Sequence, residues 1–318
     1  MTAASAAHAA RMREVAQESE RLRKERDRLK AQLSAPGTTT QGKSAKGKTP
    51  TRSPSPTAAG ITTDGSTPSV RASADPHAGF DELAAQLGGS EGLAYVSVGG
   101  GATTRLGSWQ AGPGWSTVKV PLAVAAVAKS QSQPDPRVQR LMRLAITASD
   151  NAAAEQLWAF LGTAQPAAFQ VQAVLRSTGD GETRVPSQRV RPEFSAFGQT
   201  TWSLTNQASF MAALPCIAHS DAVLRLMGDV VPGQRWGLGA VGLPAQFKGG
   251  WGPGLGGGYL VRQMGLVTLA NGSRIGLAIA SEPTDGRFET GTANVTALAR
   301  WAVAHAAANT AAKGPGGC

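Results

Sequence analysis

Between residues 77 and 309, strand-like segments stand at both ends of the stretch and helical periodicity fills the middle. LAYVSV (93–98) and the segment around TTRLGSW (103–109) read as two strands, with GGG at 99–101 as the turn between them. AQFKGGW, YLVRQMGLVTLA and RIGLAIAS read as three more, and Asn271-Gly272 marks a hairpin between the last two. VPLAVAAVAK, RVQRLMRLAITA, AAAEQLWAFLG, NQASFMAAL and DAVLRLMGDV carry apolar residues at helical spacing. HAGFDELAAQLGG reads as a short helix closed by glycines, and ETGTANVTALARWAVAHAAA (289–308) as an amphipathic C-terminal helix. Such a chain completes one sheet only by bringing its two ends together. The expected fold is α+β: an antiparallel five-stranded sheet formed by both ends of the domain, flanked by N- and C-terminal helices, with a helical subdomain inserted.

The rest of the chain has a different composition. Residues 1–34 read as a charged helix in which Met12, Val15, Leu22, Leu29 and Leu33 fall on one heptad seam, interrupted by Ser19 and Arg26. A weak coiled coil, giving an oligomer or partner contact through residues 9–34, and a solitary solvated helix both fit that pattern. Residues 35–76 are rich in Ser, Thr, Pro, Gly and Lys and read as a disordered linker, and 310–318 as a flexible tail. Much of the formal net charge of +10 lies in the first 75 residues, so it says little about the folded domain. Acidic residues interleave the basic ones there without an aromatic residue, which argues against a nucleic-acid partner.

Several function classes lose support in the same way. His8, His77, His219 and His305 are scattered without metal-ligand spacing, so no metal or other cofactor is expected. Two cysteines give no disulfide framework; Cys216 (MAALPCIAH) is expected to pack as a small hydrophobe and Cys318 to be an exposed free thiol. The GGG turn is followed by a strand rather than a helix, which is the wrong context for a phosphate loop. No stretch has the apolar length of a secretory signal or a membrane span.

Three short motifs carry chemistry. In AGPGWSTVKVPLAVAAVAK (111–129), Ser116 and Lys119 share a helix face near its N-terminus, where free N–H groups and the positive dipole end gather. That setting favours a neutral lysine amine as base for a serine nucleophile, and an N–H that binds an oxyanion. A capped helix with a solvated lysine is the plain alternative. In ITASDNAAAEQLW (146–158), Ser149, Asp150 and Asn151 interrupt two helical runs. They fit either a helix cap at Asp150 or Ser149, or a proton-relaying serine beside a substrate-binding amide. In AQFKGGWGPG (245–254), Lys248 is followed by Gly249 and Gly250, small residues that let a substrate pair closely with a strand edge.

In this order and on these elements the motifs resemble Ser-x-x-Lys, Ser-Asp-Asn and Lys-Thr-Gly of the serine β-lactamase and penicillin-binding protein superfamily, and the TASDNAAAEQL neighbourhood is similar to that of class A β-lactamases. The resemblance covers about 77–309. It implies that Ser116 is acylated, with Lys119 as its base. Ser149 would pass the proton to the leaving nitrogen, Asn151 hold the substrate amide, and Lys248 attract a substrate carboxylate beside Gly250. The oxyanion hole would be the backbone N–H groups of Ser116 and Trp251. The implied substrates are β-lactams or peptidoglycan-like amides, and the implied location is extracytoplasmic. Three departures stand out. Gly249 replaces the usual hydroxyl residue, Trp251 is bulky, and no Glu-x-x-Leu-Asn segment lies in 179–204. Glu182 and Glu193 are the candidate deacylation bases there, neither at the family's distance before Thr200-Thr201. Arg262 is either a further carboxylate contact or a plain strand arginine. The function expected is a class A β-lactamase-like serine hydrolase. The alternatives are a penicillin-binding or D,D-peptidase-like protein with slow deacylation, and a non-catalytic module that uses its N-terminal helix for partners.

Overall fold

Both ends of the domain meet in one antiparallel sheet. Its strands are Gly89–Ser97 (β1), Thr104–Gly107 (β2), Ala245–Pro253 (β5), Tyr259–Thr268 (β6) and Arg274–Pro283 (β7), in the spatial order β2-β1-β7-β6-β5. β1 from the first end pairs with β7 from the last, Leu93 opposite Ile279. β5 is an outer strand, held on one side only by β6, with Lys248 opposite Met264. The Asn271-Gly272 turn joins β6 to β7: Leu269 N–H donates to Ser273 O at 2.8 Å, and Gly272 takes the left-handed φ of 80° that the turn requires. These findings come from a computed structural model that describes residues 79–130 and 136–309, all within one unit, Pro68–Cys318. The charged helix expected over 1–34, the linker 35–76 and the tail 310–318 lie outside the described residues.

Alternation along the strands divides the core. Leu93, Tyr95, Val261, Leu277 and Ile279 face Phe288–Asn309 (α8) and Phe80–Leu87 (α1), burying Val295, Leu298 and Ala302, and Phe80 meets Trp301 edge-on at 5.3 Å. Ala94, Val96, Met264, Leu266, Ala278 and Ala280 point the other way, into the inserted helices. Those helices are Lys119–Lys129 (α2), Pro136–Thr147 (α3), Asn151–Leu161 (α4), Ala164–Ser177 (α5), Leu204–Ala213 (α6) and Asp221–Gly228 (α7). α2 is the centre of this layer: every residue from Lys119 to Val127 is buried. A continuous apolar run without a polar face is what a helix enclosed on all sides needs.

The structure departs from the sequence expectations in four places. A two-stranded ribbon, Ala111–Pro113 (β3) against Thr201–Ser203 (β4), ties the segment before Ser116 to the segment before α6. Helix α5 was not among the expected segments; it buries Ala167, Val171, Val174 and Leu175. Ser116 stands on a 3-10 turn, Trp115–Val118, and the α-helix begins only at Lys119. Cys216 is disulfide-bonded rather than a packed thiol. Helix α6 ends at Ala213, and the tight turn Leu214–Cys216, with Pro215 inside it, leaves Cys216 exposed. The other cysteine of the sequence, Cys318, lies outside the described residues. Among the described residues no single helix is long and apolar enough to cross a membrane.

Candidate active site

The 3-10 turn Trp115–Val118 sets how Ser116 and Lys119 stand relative to one another. In a 3-10 helix, residues i and i+3 eclipse, so the serine and the lysine stand in line. Trp115 enters the turn with a left-handed φ of 48°, unusual for a bulky residue. Its indole is held by Phe194, edge-on at 4.8 Å, and by Gly252, where a Cβ atom would stand 2.7 Å from the ring. A strained backbone of this kind persists where surrounding contacts over-determine it. Ser116 is half-buried, whereas Lys119 is only 1% exposed.

Lys119 crosses to the loop between α3 and α4. Its amine donates to Ser149 O at 2.6 Å and to Asn151 Oδ1 at 2.7 Å, with Ser149 Oγ at 3.4 Å. Ser149 also has a left-handed φ, 56°. Asp150 is the N-cap of α4, its carboxylate accepting from Ala153 N–H at 2.8 Å. The helix cap and the contacts with Lys119 therefore coexist in one triplet. Lys248 arrives from β5, as deeply buried as Lys119, and donates to Ser149 Oγ at 2.9 Å and to Gly249 O at 2.9 Å. One hydroxyl thus receives two lysine amines. Burial holds the Lys119 amine down at about 7, against the opposing pull of Asp150 and Glu155. Burial, followed by the charge of Lys119, holds Lys248 well below the ordinary lysine range.

β5 closes the site from the sheet side. A Cβ atom on Gly250 would stand 2.9 Å from Gly114 O and 3.0 Å from Ser116 N, so the strand runs directly against the turn that carries the serine. The bulk of Trp251 is accommodated on the far face, where its ring packs against Trp236 at 6.2 Å and Phe288 at 5.3 Å. Trp236 also accounts for Gly249. A Cβ there would stand 2.7 Å from the Trp236 ring, so indole fills the place of the missing hydroxyl side chain.

Other expected residues lie elsewhere. Arg262 is a strand arginine whose side chain is turned into the protein interior. It is fully buried, donates to the carbonyls of Gly112, Pro113 and Trp202 and to Gln207 Oε1, and stacks on Trp109. Its reach into the ribbon could not be read from a strand pattern. Glu182 and Glu193 are both exposed, and neither bonds to Ser116, Lys119 or Ser149; Glu182 contacts Asn206 at 3.5 Å. Two residues absent from the sequence expectations border the site. Glu155 lies one helical turn after Asn151, on the same face of α4, and pairs with Arg189 at 3.1 Å. Arg191 stacks on Trp115. The four-residue spacing from Asn151 was the only available signal for Glu155. Among the described residues no three His, Cys, Asp or Glu side chains gather into a metal-ligand set.

No protein-family model and no curated protein matches the chain. Solved structures do. A β-lactamase from Chitinophaga pinensis DSM 2588 superposes with a TM-score of 0.60 at 17% identity, over 73% of this chain and 99% of that one. A class A β-lactamase from Mycobacterium abscessus gives 0.59 at 18% identity, over 72% and 98%. The TLA-3 extended-spectrum β-lactamase gives 0.57 at 14% identity, over 71% and 99%. The fold is that of the class A β-lactamases. Within this β-lactamase-like fold the three motifs converge where β5 meets the inserted helices, beside the 3-10 turn.

Proposed function

We propose that this chain is a serine hydrolase of the class A β-lactamase type, acylated at Ser116 by β-lactams or related amides. The observation that carries the reading is the state of Lys119. Its amine is dry, its proton affinity is lowered to about 7, and two of its positions are taken by Ser149 O and Asn151 Oδ1. A neutral amine has two N–H groups, and both have acceptors here. The lone pair is left to take the Ser116 proton as Oγ attacks the substrate carbonyl. The oxyanion is bound by the N–H groups of Ser116 and Trp251. The proton then passes from the Lys119 ammonium through Ser149 Oγ to the leaving nitrogen, Lys248 holding that hydroxyl in place. The C–N bond breaks and the acyl group remains on Ser116 as an ester. Asn151, its Oδ1 fixed on Lys119, keeps its Nδ2 for the substrate amide carbonyl.

Hydrolysis of that ester needs a base for water. Glu182 and Glu193 are exposed and unattached to the cluster, which favours a second reading: a penicillin-binding or D,D-peptidase-like protein with a long-lived acyl-enzyme. A time course with a chromogenic β-lactam separates the two. Steady turnover supports the hydrolase, and a burst equal to the enzyme concentration supports the second reading. Digestion after treatment with a fluorescent penicillin is expected to place the label on the peptide containing Ser116, and Ser116→Ala to abolish it. Absence of label in the unaltered protein would sink both readings in favour of the non-catalytic module. Loss of an oligomer on deleting residues 1–34 would then be the property to look for.

A further inference from the structure

β5 gives the site a direction. Near its start, Lys248 donates to Ser149 Oγ, the hydroxyl that protonates the leaving nitrogen in the mechanism above. The leaving half of a substrate therefore lies toward Lys248. The acyl half extends from Ser116 the other way, past Trp251 toward Gly252 and Pro253.

A cation waits at that end. The Arg191 guanidinium carbon lies 5.1 Å from the Trp115 ring centre and 4.8 Å from that of Phe194. Trp115 itself covers Gly252 and immediately precedes the nucleophile. The Arg191 backbone is clamped by Gln199, which accepts from Arg191 N–H at 2.7 Å and donates to Arg191 O at 3.1 Å. The guanidinium has five N–H donors and makes one long hydrogen bond, from Nη2 to Pro253 O at 3.4 Å. No carboxylate pairs with it among the described residues, and Glu193, two residues on, is exposed and makes no bond to it. The other two arginines near the site differ: Arg189 is paired with Glu155, and Arg262 is enclosed by four oxygen acceptors. Two rings and a clamped backbone fix the Arg191 fork while most of its donors stay unused. That is the arrangement that binds a planar oxyanion in bidentate fashion.

We infer that Arg191 is a specificity-determining residue that recognises a carboxylate or similar anion on the acyl side of the substrate, opposite the leaving group. The inference rests on acylation at Ser116 as proposed above. The test uses two penicillins that differ only in the acyl side chain, benzyl and α-carboxybenzyl, and measures the second-order rate of acylation of the full-length protein at Ser116. The ratio of the carboxylated to the neutral probe is expected to fall about tenfold in Arg191→Met, the effect of one charge-assisted contact. Arg191→Lys should keep part of the preference. In the unaltered protein the ratio should fall as salt is added, which tests the inference even if Arg191→Met does not fold. A ratio unchanged by Arg191→Met and by salt, or an equal loss for both probes, would overturn the role of Arg191 while leaving acylation intact. If neither probe labels Ser116 in the unaltered protein, the hydrolase reading fails first and takes this inference with it.

Discussion

The domain buries cations in two neighbouring places, to opposite effect. Around Ser149, two lysine amines share one hydroxyl and a few carbonyls. Around the β3–β4 ribbon, Arg262 meets four acceptors that fit its fork, three of them backbone carbonyls. Burial lowers proton affinity in both, Lys119 to about 7 and Arg262 to about 9. The lysine therefore changes charge near neutral pH, and the arginine stays charged there and acts as a fastener. A dry cation whose proton can leave becomes neutral near pH 7; held through both terminal nitrogens by four fixed acceptors, it becomes a structural pin.

Substitutions can break that contrast. Lys119→Met should lower the acylation rate by roughly a thousandfold or more while the protein still melts cooperatively, since the lost step is proton transfer. Lys119→Arg should fail equally, because a guanidinium does not give up its proton. In the unaltered protein the acylation rate should rise with pH through about 7: below that value the Lys119 amine carries its extra proton and has no lone pair to offer. A flat profile from pH 5.5 to 8.5 would break the assignment.

Arg262→Met should act on the fold instead. Four oxygen acceptors lose their donors at once, and urea denaturation should show a loss of about 3 kcal/mol or more. The midpoint of the acylation pH profile should stay where it is. A shifted midpoint would mean the two cationic places are coupled, and the contrast would fall.

Glu91 gives the same lesson with the sign reversed. It is 1% exposed, one of its oxygens accepts from Ser281 and Asn294, and burial pushes its carboxyl up to about 7. Between the unfolded value near 4.5 and about 7 the folded state binds more protons, so stability falls as pH rises through that window. Glu91→Gln should recover about 1–3 kcal/mol at pH 8 and little at pH 4, read as the difference in urea midpoints.

The smallest expected effect belongs to Glu155. Its charge raises the Lys119 proton affinity, so Glu155→Gln should move the acylation midpoint to lower pH by a few tenths of a unit. An upward movement would exclude that influence.

The sheet and most helices were legible because their patterns are long. β6 and β7 are long, largely apolar strands buried along most of their length, and α2 is apolar on every side. The β3–β4 ribbon was not legible, since three-residue strands carry no period and find each other only through the fold. The motif residues stand out in the sequence by type and order, and the fold brings Lys119, Ser149, Asn151 and Lys248 together. Their partners do not stand out. Nothing in the sequence tells that Trp236 lies against Gly249, that Arg262 reaches the carbonyl of Gly112, or that Glu155 lies close enough to bias Lys119. The exposure of Cys216 depended on where α6 stops, and Pro215 marks that boundary only weakly.

Gly250 has a consequence for how such a protein can change. The sheet and the helical layer approach there until no methyl group fits between the strand and the backbone of Ser116. The distance between β5 and the 3-10 turn is therefore gauged by a missing atom. Alanine at this position would act as a shim, prising β5 from the turn that carries Ser116. The spacing between strand and turn has a tolerance of less than one carbon.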